Sequence, residues 1–482
     1  MLLRSQIVRR TLFGLLLASL LLFPALSKAD APDTFSLTIL HTNDLHGHIY
    51  PFAYTEVGRS KDEKESVGGA ARRATLIRSL RQRIKNPVIL VDSGDTFTRG
   101  PLTNFYEGVA DVEAMNALGY EAAALGNNEF KAKDGREVND AAGSQSALLQ
   151  VVKRARFPWL CANATDANGA TLQGVQPYIV REFGGVRVGF LGLTAPRSAK
   201  YPQVKGWKIL DPVATAKAWI PKARKECDIL IAMTHIGVDL DKQLAAETTG
   251  LDAIVGGDSH TFLYKLEEVA NPEGVKIPIV QDGEFGVNLG RFDLNFRKDS
   301  SGRWSLASYK DVLIPVSAKL KEAPDVVAKL APYRAPYDKV IGRFNQAIAT
   351  TPDERTKQTT QRIVDAMRTQ TGSDFSFNNS GDGLFEFFRR AEVTLYDLHA
   401  ILPFKNNVVL VSLTGAEISA ILMKNKDAVV SGDVKALTDS FVYKVALIDF
   451  EAQSAYGLSN EKIVDTGKDI REMLADSLGK SL

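Results

Sequence analysis

Cysteine is close to absent from this chain: 482 residues carry two, Cys161 and Cys227. That excludes a disulfide-rich scaffold, and neither cysteine has the spacing of a metal motif. Each lies in an apolar run, so one bridge in an oxidising compartment and two separate buried thiols both remain open. An excess of charge of one sign is also missing. Lys and Arg number 59 and Asp and Glu 57, a net of +2, which leaves no global electrostatic case for nucleic acid. After residue 29 no further apolar run is long enough to be a membrane span. There is no internal repeat and no low-complexity segment.

The extreme N-terminus is different in kind. Arg4, Arg9 and Arg10 precede an apolar stretch over residues 12–26, and Ser27-Lys28-Ala29 places small residues where a signal peptidase reads. This predicts a secretory signal over 1–29 and a secreted, periplasmic product with no stable membrane anchor. No cysteine near the cleavage point offers a site for lipid. Arg9-Arg10-Thr11-Leu12-Phe13 keeps twin-arginine export open beside the unfolded route.

A mature chain of this length is too long for one simple core, so two domains are expected. From residue 35 to about 260, continuous apolar strands alternate with amphipathic helices. Strands are predicted at 35–39, 87–91, 121–125, 159–162, 228–233 and 253–255, and a hairpin at 180–183 and 186–191 around Gly184-Gly185. Helices are expected from Gly68 onward and at 109–118, 144–155, 212–226 and 241–248, with a polar loop at 55–65. The pattern means βαβ units and a sheet covered on both faces, whose ligand lies beyond the carboxyl ends of the strands. Alternation at Phe292, Leu294 and Phe296 adds antiparallel strands. Residues 315–339 read as a linker helix, and 340–482 as a second, smaller α+β domain with a helix at 359–371, a strand at 408–413 and a closing helix at 468–478.

Chemistry gathers at the strand ends. Five of them offer Asp44 with His46, Asp95, Asn127, His235, and Asp258 with His260. One Asp-x-His alone is an ordinary loop. Five such ends in one domain point to a site for two divalent ions, and a mixed Asp, His and Asn donor set suits Zn, Mn, Fe or Co rather than all-oxygen Mg or Ca. Asp95 is suited to bridge, since a carboxylate has an oxygen for each ion. Two such ions clamp a phosphoryl centre and activate water for its hydrolysis.

The motifs Thr42-Asn43-Asp44-Leu45-His46-Gly47-His48, Asp92-Ser93-Gly94-Asp95, Gly126-Asn127-Asn128-Glu129-Phe130, Thr234-His235-Ile236-Gly237 and Gly256-Gly257-Asp258-Ser259-His260 resemble the calcineurin-like metallophosphoesterases, most of all the 5′-nucleotidase and UDP-sugar hydrolase branch. Asp365-Ala366-Met367, Asn379-Ser380-Gly381, Pro403-Phe404 and Asp449-Phe450 resemble that branch's C-terminal domain. The resemblance implies a four-layer αββα catalytic domain over 35–314 and a substrate-binding domain over 340–482. It implies that Asp44, His46, Asp95 and His260 hold one metal, and Asp95, Asn127, His235 and Asp258 the other. It also implies that Arg355, Asn379 and Gly381 contact substrate, and that Phe404 and Phe450 sandwich a base.

The chain departs from the family at its chemical centre. Asn128 stands where the family has a His that stabilises charge on the phosphoryl group, and Lys131 where it has an Asp. Losing one such charge-assisted donor costs about 3 kcal/mol, or at least about 100-fold in rate, unless Lys131 supplies a cation. Asp258 stands where the family has His. In the second domain Leu384 replaces an Arg, for which Arg389 or Arg390 are the candidate substitutes, and Gln453-Ser454-Ala455-Tyr456 replaces a glycine-rich segment. The expectation is a secreted dinuclear hydrolase of nucleotides or related phosphate esters, monomeric or weakly dimeric, with Asn128 at the catalytic position. The competing expectation is a member of the family that has lost catalysis and binds metal or nucleotide.

Overall fold

A computed structural model describes residues 33–54, 66–98, 100–131, 141–381 and 383–479 of the chain. The expected signal over 1–29, the loop at 55–65 and Asp382 lie outside these described residues. Two sheets form the first domain. The seven-stranded sheet runs, edge to edge, through Trp304–Pro315, Asn288–Lys298, Thr34–Thr42, Val88–Asp92, Ala122–Ala124, Trp159–Leu160 and Val175–Gln176. The six-stranded sheet runs through Glu267–Ala270, Lys276–Val280, Ala253–Val255, Ile229–His235, Val186–Thr194 and Tyr178–Phe183. Strand Thr34–Thr42 pairs in parallel with Val88–Asp92, and Ile229–His235 in parallel with both Val186–Thr194 and Ala253–Val255.

The continuous apolar strands follow from burial on both faces. Side chains alternate along a strand, so Leu37, Ile39, Ile89, Val91, Ala122 and Ala124 point between the sheets. There they meet Val188, Phe190, Ile231, Met233 and Val255 of the second sheet. Leu40, Leu90, Ala123 and Leu125 point outward, under Ile77 and Leu80 of helix Ala70–Arg83 and Met115 of helix Val109–Leu118. The far face of the second sheet packs on helices Pro212–Ala223 and Val238–Glu247. The order is helix, sheet, sheet, helix: the four-layer αββα arrangement. Both cysteines are buried and free, so of the two readings the separate thiols hold.

Three features depart from the sequence reading. A six-residue helix, Pro101–Tyr106, is too short to leave a periodic signature. The strand read as ending at Leu191 continues to Thr194. Helix Pro352–Thr371 starts seven residues before the expected 359, at a capping box in which Thr351 and Glu354 each accept from the other's backbone N–H. Helix Pro324–Arg334, in the predicted linker, buries Val326 and Leu330 against the first domain's helices.

The second domain has a five-stranded sheet in the order Ala428–Ser431, Phe375–Asn379, Val442–Ile448, Asn407–Thr414, Ile463–Asp469. Helices Pro352–Thr371 and Ile470–Gly479 cover one face, through Ile363, Val364, Met367 and Met473. Helix Gly415–Lys424 covers the other through Ile418. Among the described residues no helix is long and apolar enough to cross a membrane.

Where the two sheets meet, the space is minimal. Gly192 accepts from the N–H of Ala162 at 2.8 Å, and a Cβ on it would run into the backbone of Leu160. Overpacking of this kind costs about 1–3 kcal/mol. Gly192→Ala is therefore expected to lower unfolding stability by at least about 1 kcal/mol in urea titrations, and an unchanged midpoint would contradict this packing.

Candidate metal centre

The parallel strands of both sheets end at one edge, and the loops leaving them carry the predicted ligands inward. Asp44, His46 and Asp95 are buried, as are His235 and Asn127. The backbone is forced to bring them there. Asp44, His46, Asp95, Asp258 and His260 all have positive φ, between 45° and 84°. For residues other than glycine this costs of order 1–3 kcal/mol each and persists only where the surroundings impose it. The imposing contacts are cross-loop hydrogen bonds: Asp44 N–H to Gly94 O at 2.9 Å, His46 N–H to Asp95 O at 2.9 Å, and Phe285 N–H to Asp44 O at 2.7 Å.

Glu129, whose role the sequence reading left unassigned, fixes the Asp95 loop. Its buried carboxylate accepts the N–H groups of Gly126 (2.6 Å), Asp95 (2.9 Å), Thr96 (2.8 Å) and Phe97 (3.1 Å). Burial and the neighbouring Asp95 charge push its carboxyl up to about 8. The signal was present in Gly126-Asn127-Asn128-Glu129, but an acceptor for main-chain donors is not encoded by any spacing.

The three histidines share one orientation. Nδ1 of His46 donates to Phe97 O at 3.2 Å, Nδ1 of His235 to Ser93 O at 2.8 Å, and Nδ1 of His260 to the Glu284 carboxylate. With the ring proton placed there, each Nε2 lone pair faces the cluster, the arrangement that metal-binding imidazoles adopt. His46 Nε2 and His260 Nε2 are 3.1 Å apart. Asp44 Oδ1 lies 3.2 Å from His260 Nε2, 3.7 Å from His46 Nε2 and 3.8 Å from His235 Nε2. Asp95 Oδ2 is 3.1 Å from His235 Nε2. Among the described residues no hydrogen bond of acceptable geometry reaches Asp44 Oδ1 or His235 Nε2, both buried. Opposed lone pairs and orphaned buried acceptors are costly unless a cation lies among them, so these residues fit divalent metal. Two compact triads result, Asp44 with His46 and His260, and Asp44 with Asp95 and His235. Asp44 is common to both triads, and Asp95, the expected bridge, belongs to the second.

Charge follows the same geometry. Burial disfavours the Asp44 carboxylate, but the charge of His235 and the imidazoles of His260 and His46 outweigh it and hold the group well below its ordinary value. Asp95, also buried, is brought down to about 2 by His235 and His46. Desolvation pulls His260 down, yet Asp44 and Glu284 lift it to about 10. A dication would take the place of the protons that this cluster otherwise gathers.

The remaining predicted residues sit as follows. Asn128 donates its N–H to Asp95 Oδ1 at 2.7 Å and its amide Nδ2–H to Asp95 Oδ2 at 2.5 Å, clamping that carboxylate. Asn127 and Asp258 turn toward Arg197, which the sequence reading missed: Nη2 donates to Asn127 Oδ1 at 2.6 Å and Nη1 to Asp258 Oδ2 at 2.5 Å. Lys131, the alternative source of a cation for the phosphoryl site, places its ammonium 3.8 Å from the ring centre of Tyr201. In the second domain Phe404 and Phe450 are 41% and 61% exposed, too open to be ordinary core. Their loops are tied by Asn407 N–H to Asp449 Oδ2 at 3.2 Å. A run of rings links Phe404 to the metal cluster through Phe385 and Phe285, the last 5.8 Å from His46 and 5.9 Å from His260. Arg355 donates to Ala349 O at 2.8 Å and lies 5.6 Å from the Phe387 ring. Asn379 Nδ2 donates to Asn425 Oδ1 at 3.4 Å. Gly381, at φ 88°, lies against Thr356, next to Arg355. Residues 453–456 belong to a wide helical turn whose Tyr456 packs 5.4 Å from Phe377. Between the domains a cavity of about 240 Å³ is lined by His48, Phe52, Arg334, Phe387, Arg389 and Tyr396. Arg389 is paired with Glu386 and Arg390 with Asp397, at 3.2 and 3.1 Å.

Two facing sheets with carboxylates and imidazoles converging beyond their parallel strands define the metallophosphoesterase class. Residues 37–262 match the calcineurin-like phosphoesterase family and residues 340–443 the C-terminal domain of 5′-nucleotidases. The chain belongs to the calcineurin-like phosphoesterases, in the branch that carries this second domain. It is 28% identical over 434 residues to the trifunctional nucleotide phosphoesterase protein YfkN of Bacillus subtilis, covering 83% of this chain and 28% of that one. To the 5′-nucleotidase of Bos taurus it is 27% identical over 420 residues, 79% of this chain and 70% of that one. The crystal structure of a 5′-nucleotidase precursor from Thermus thermophilus superimposes with a TM-score of 0.66 at 27% identity, covering 93% of this chain and 97% of the other. Calcineurin-like phosphoesterases use divalent metals.

Glu129→Ala leaves four buried N–H donors without an acceptor, at about 1–3 kcal/mol each before relaxation. The variant is expected to lose at least about 3 kcal/mol of unfolding stability in urea and to retain less metal after desalting. A loss below about 0.5 kcal/mol would contradict the role given to Glu129.

Proposed function

We propose that this chain is an exported, metal-dependent hydrolase of nucleotides or closely related phosphate esters and anhydrides. The observation that carries the reading is the inward-facing set of three imidazole Nε2 atoms around Asp44, with Asp95 beside it. Asp44, His46, Asp95 and His260 form the first place for a divalent ion, and Asp95, Asn127, His235 and Asp258 the second. When bound, such ions draw charge from the phosphoryl centre and make water a competent nucleophile near neutral pH. The chain's own residues do the positioning. Glu129 and Asn128 hold Asp95 in one orientation, and Glu284 and two backbone carbonyls hold the imidazoles. The open rings of Phe404 and Phe450 offer faces on which any base can stack, consistent with the nucleotide-acting relatives. Export rests on the basic and apolar pattern of residues 1–29.

Asn128 favours a weakened catalyst as the second reading. Its side-chain amide can donate only a neutral hydrogen bond, and its Nδ2 already donates to Asp95 Oδ2. Turnover on a nucleotide panel with Mn or Zn separates the two: measurable, chelator-sensitive hydrolysis supports the enzyme, and its absence in metal-loaded protein supports a binding protein.

Poor leaving groups need most help with developing charge. Asn128→His is therefore expected to raise kcat/KM for nucleoside monophosphates by at least about 10-fold, and for aryl phosphates by much less. Equal gains on both, or none, would contradict the assignment of Asn128 to the catalytic position.

A further inference from the structure

Arg197 follows a strand whose end the sequence reading placed too early. Strand Val186–Thr194 pairs in parallel with Ile229–His235, and Thr194 lies directly opposite His235. The turn Pro196–Lys200 follows immediately, so Arg197 is delivered to the same edge as the ligands. A single nitrogen, Nη2, lies between Asn127 Oδ1, at 2.6 Å, and Asp258 Oδ1, while Nη1 holds Asp258 Oδ2. Asp258 Oδ1 is in turn 3.4 Å from His235 Nε2, which is 3.1 Å from Asp95 Oδ2.

We infer that Arg197 is a built-in cation that occupies the second metal place, so that the chain at rest holds one divalent ion tightly and a second enters only by displacing the guanidinium. The inference rests on the metal reading above and refines it. A divalent ion binds oxygen donors at about 2.0–2.2 Å. One that took both Asn127 Oδ1 and Asp258 Oδ1 would overlap Nη2, so the two cations exclude each other. A guanidinium keeps its charge at any pH the protein meets, so proton loss cannot clear the place; only movement of the side chain can. Arg197 is able to move, since about half of its side chain is exposed.

The charges agree with this stoichiometry. Arg197 neutralises Asp258, Glu284 is taken by His260, and Glu129 by four backbone N–H groups. The carboxylates left facing the cluster are Asp44 and Asp95, which match one dication. The consequence is that the second ion's affinity, and any activity that needs it, is set by the Arg197–Asp258 pair.

The test is metal retention by the full chain. Wild type, Arg197→Met and Asp258→His are loaded with Mn(II), desalted and analysed for metal content, and their Mn(II) electron paramagnetic resonance spectra are recorded. Wild type is expected to keep one ion per chain with a mononuclear spectrum, its second ion binding at least about 10-fold more weakly. Both variants are expected to keep two ions and to show the multiline spectrum of a coupled pair. Circular dichroism confirms that the variants are folded, and Asp258→His supplies the same answer without touching the arginine. Two tightly held ions in wild type, or one in both variants, would overturn the inference. Retention of no ion by any of the three proteins would overturn the metal reading itself, and this inference with it.

Discussion

The apolar layer between the two sheets is the constraint on which the site depends. Leu37, Ile39, Ile89 and Val91 of one sheet lock against Phe190, Ile231 and Met233 of the other. Because side chains alternate, this interdigitation fixes both the distance between the sheets and the register of the strand ends. The expected ligands leave those ends on strained loops. A shift of the layer by one residue would turn every inward side chain outward and separate Asp44 and Asp95 from His235. The convergence of these side chains is thus a property of hydrocarbon packing as much as of the loops that carry them.

Strain and hydrogen bonding then finish what packing begins. Five of the expected ligands have positive φ, a concentration that only a dense local network can hold. Main-chain bonds make up much of that network, and the Glu129 carboxylate accepts from four of its N–H groups. The imidazoles are aimed from behind by two carbonyls and by Glu284. What remains inside is a set of acceptors that repel one another and therefore favour a cation. The same reasoning explains why Arg197 is drawn in: Asp258 adds a negative charge to the edge of the cluster, and a fixed positive charge from the neighbouring strand end answers it.

Much of this was legible in the sequence. Runs such as residues 87–91, apolar at each position, mark strands buried on both faces, and the polar residues after them mark the strand ends; together these carry the βαβ units and the ligand candidates, while the pairing of two sheets into αββα layers was implied only by the resemblance. What was not legible has identifiable causes. Arg197 stayed hidden because Gly192-Leu193-Thr194 continues a strand that had been closed at Leu191, and Pro196-Arg197-Ser198 reads as ordinary loop. Glu129 stayed without a role because its partners are backbone N–H groups, which carry no residue code. Lys131 was left open as a source of a cation because a four-carbon stem reaches several places, and the ring of Tyr201 captures it. The early start of helix Pro352–Thr371 was readable in Thr351-Pro352-Asp353-Glu354, a capping box followed by few apolar residues in its first turns.

The claim that everything else rests on is that this pocket is a divalent-metal centre. Anomalous diffraction at the metal edge, from crystals of the chain grown with Mn(II) or Zn(II), tests it most directly. The account predicts a peak within about 2.0–2.3 Å of Nε2 of His46 and His260 and of an Asp44 carboxylate oxygen. A fully metal-loaded crystal with no peak in that cluster, or with Asp44, Asp95 and His235 turned away from a common point, would contradict it.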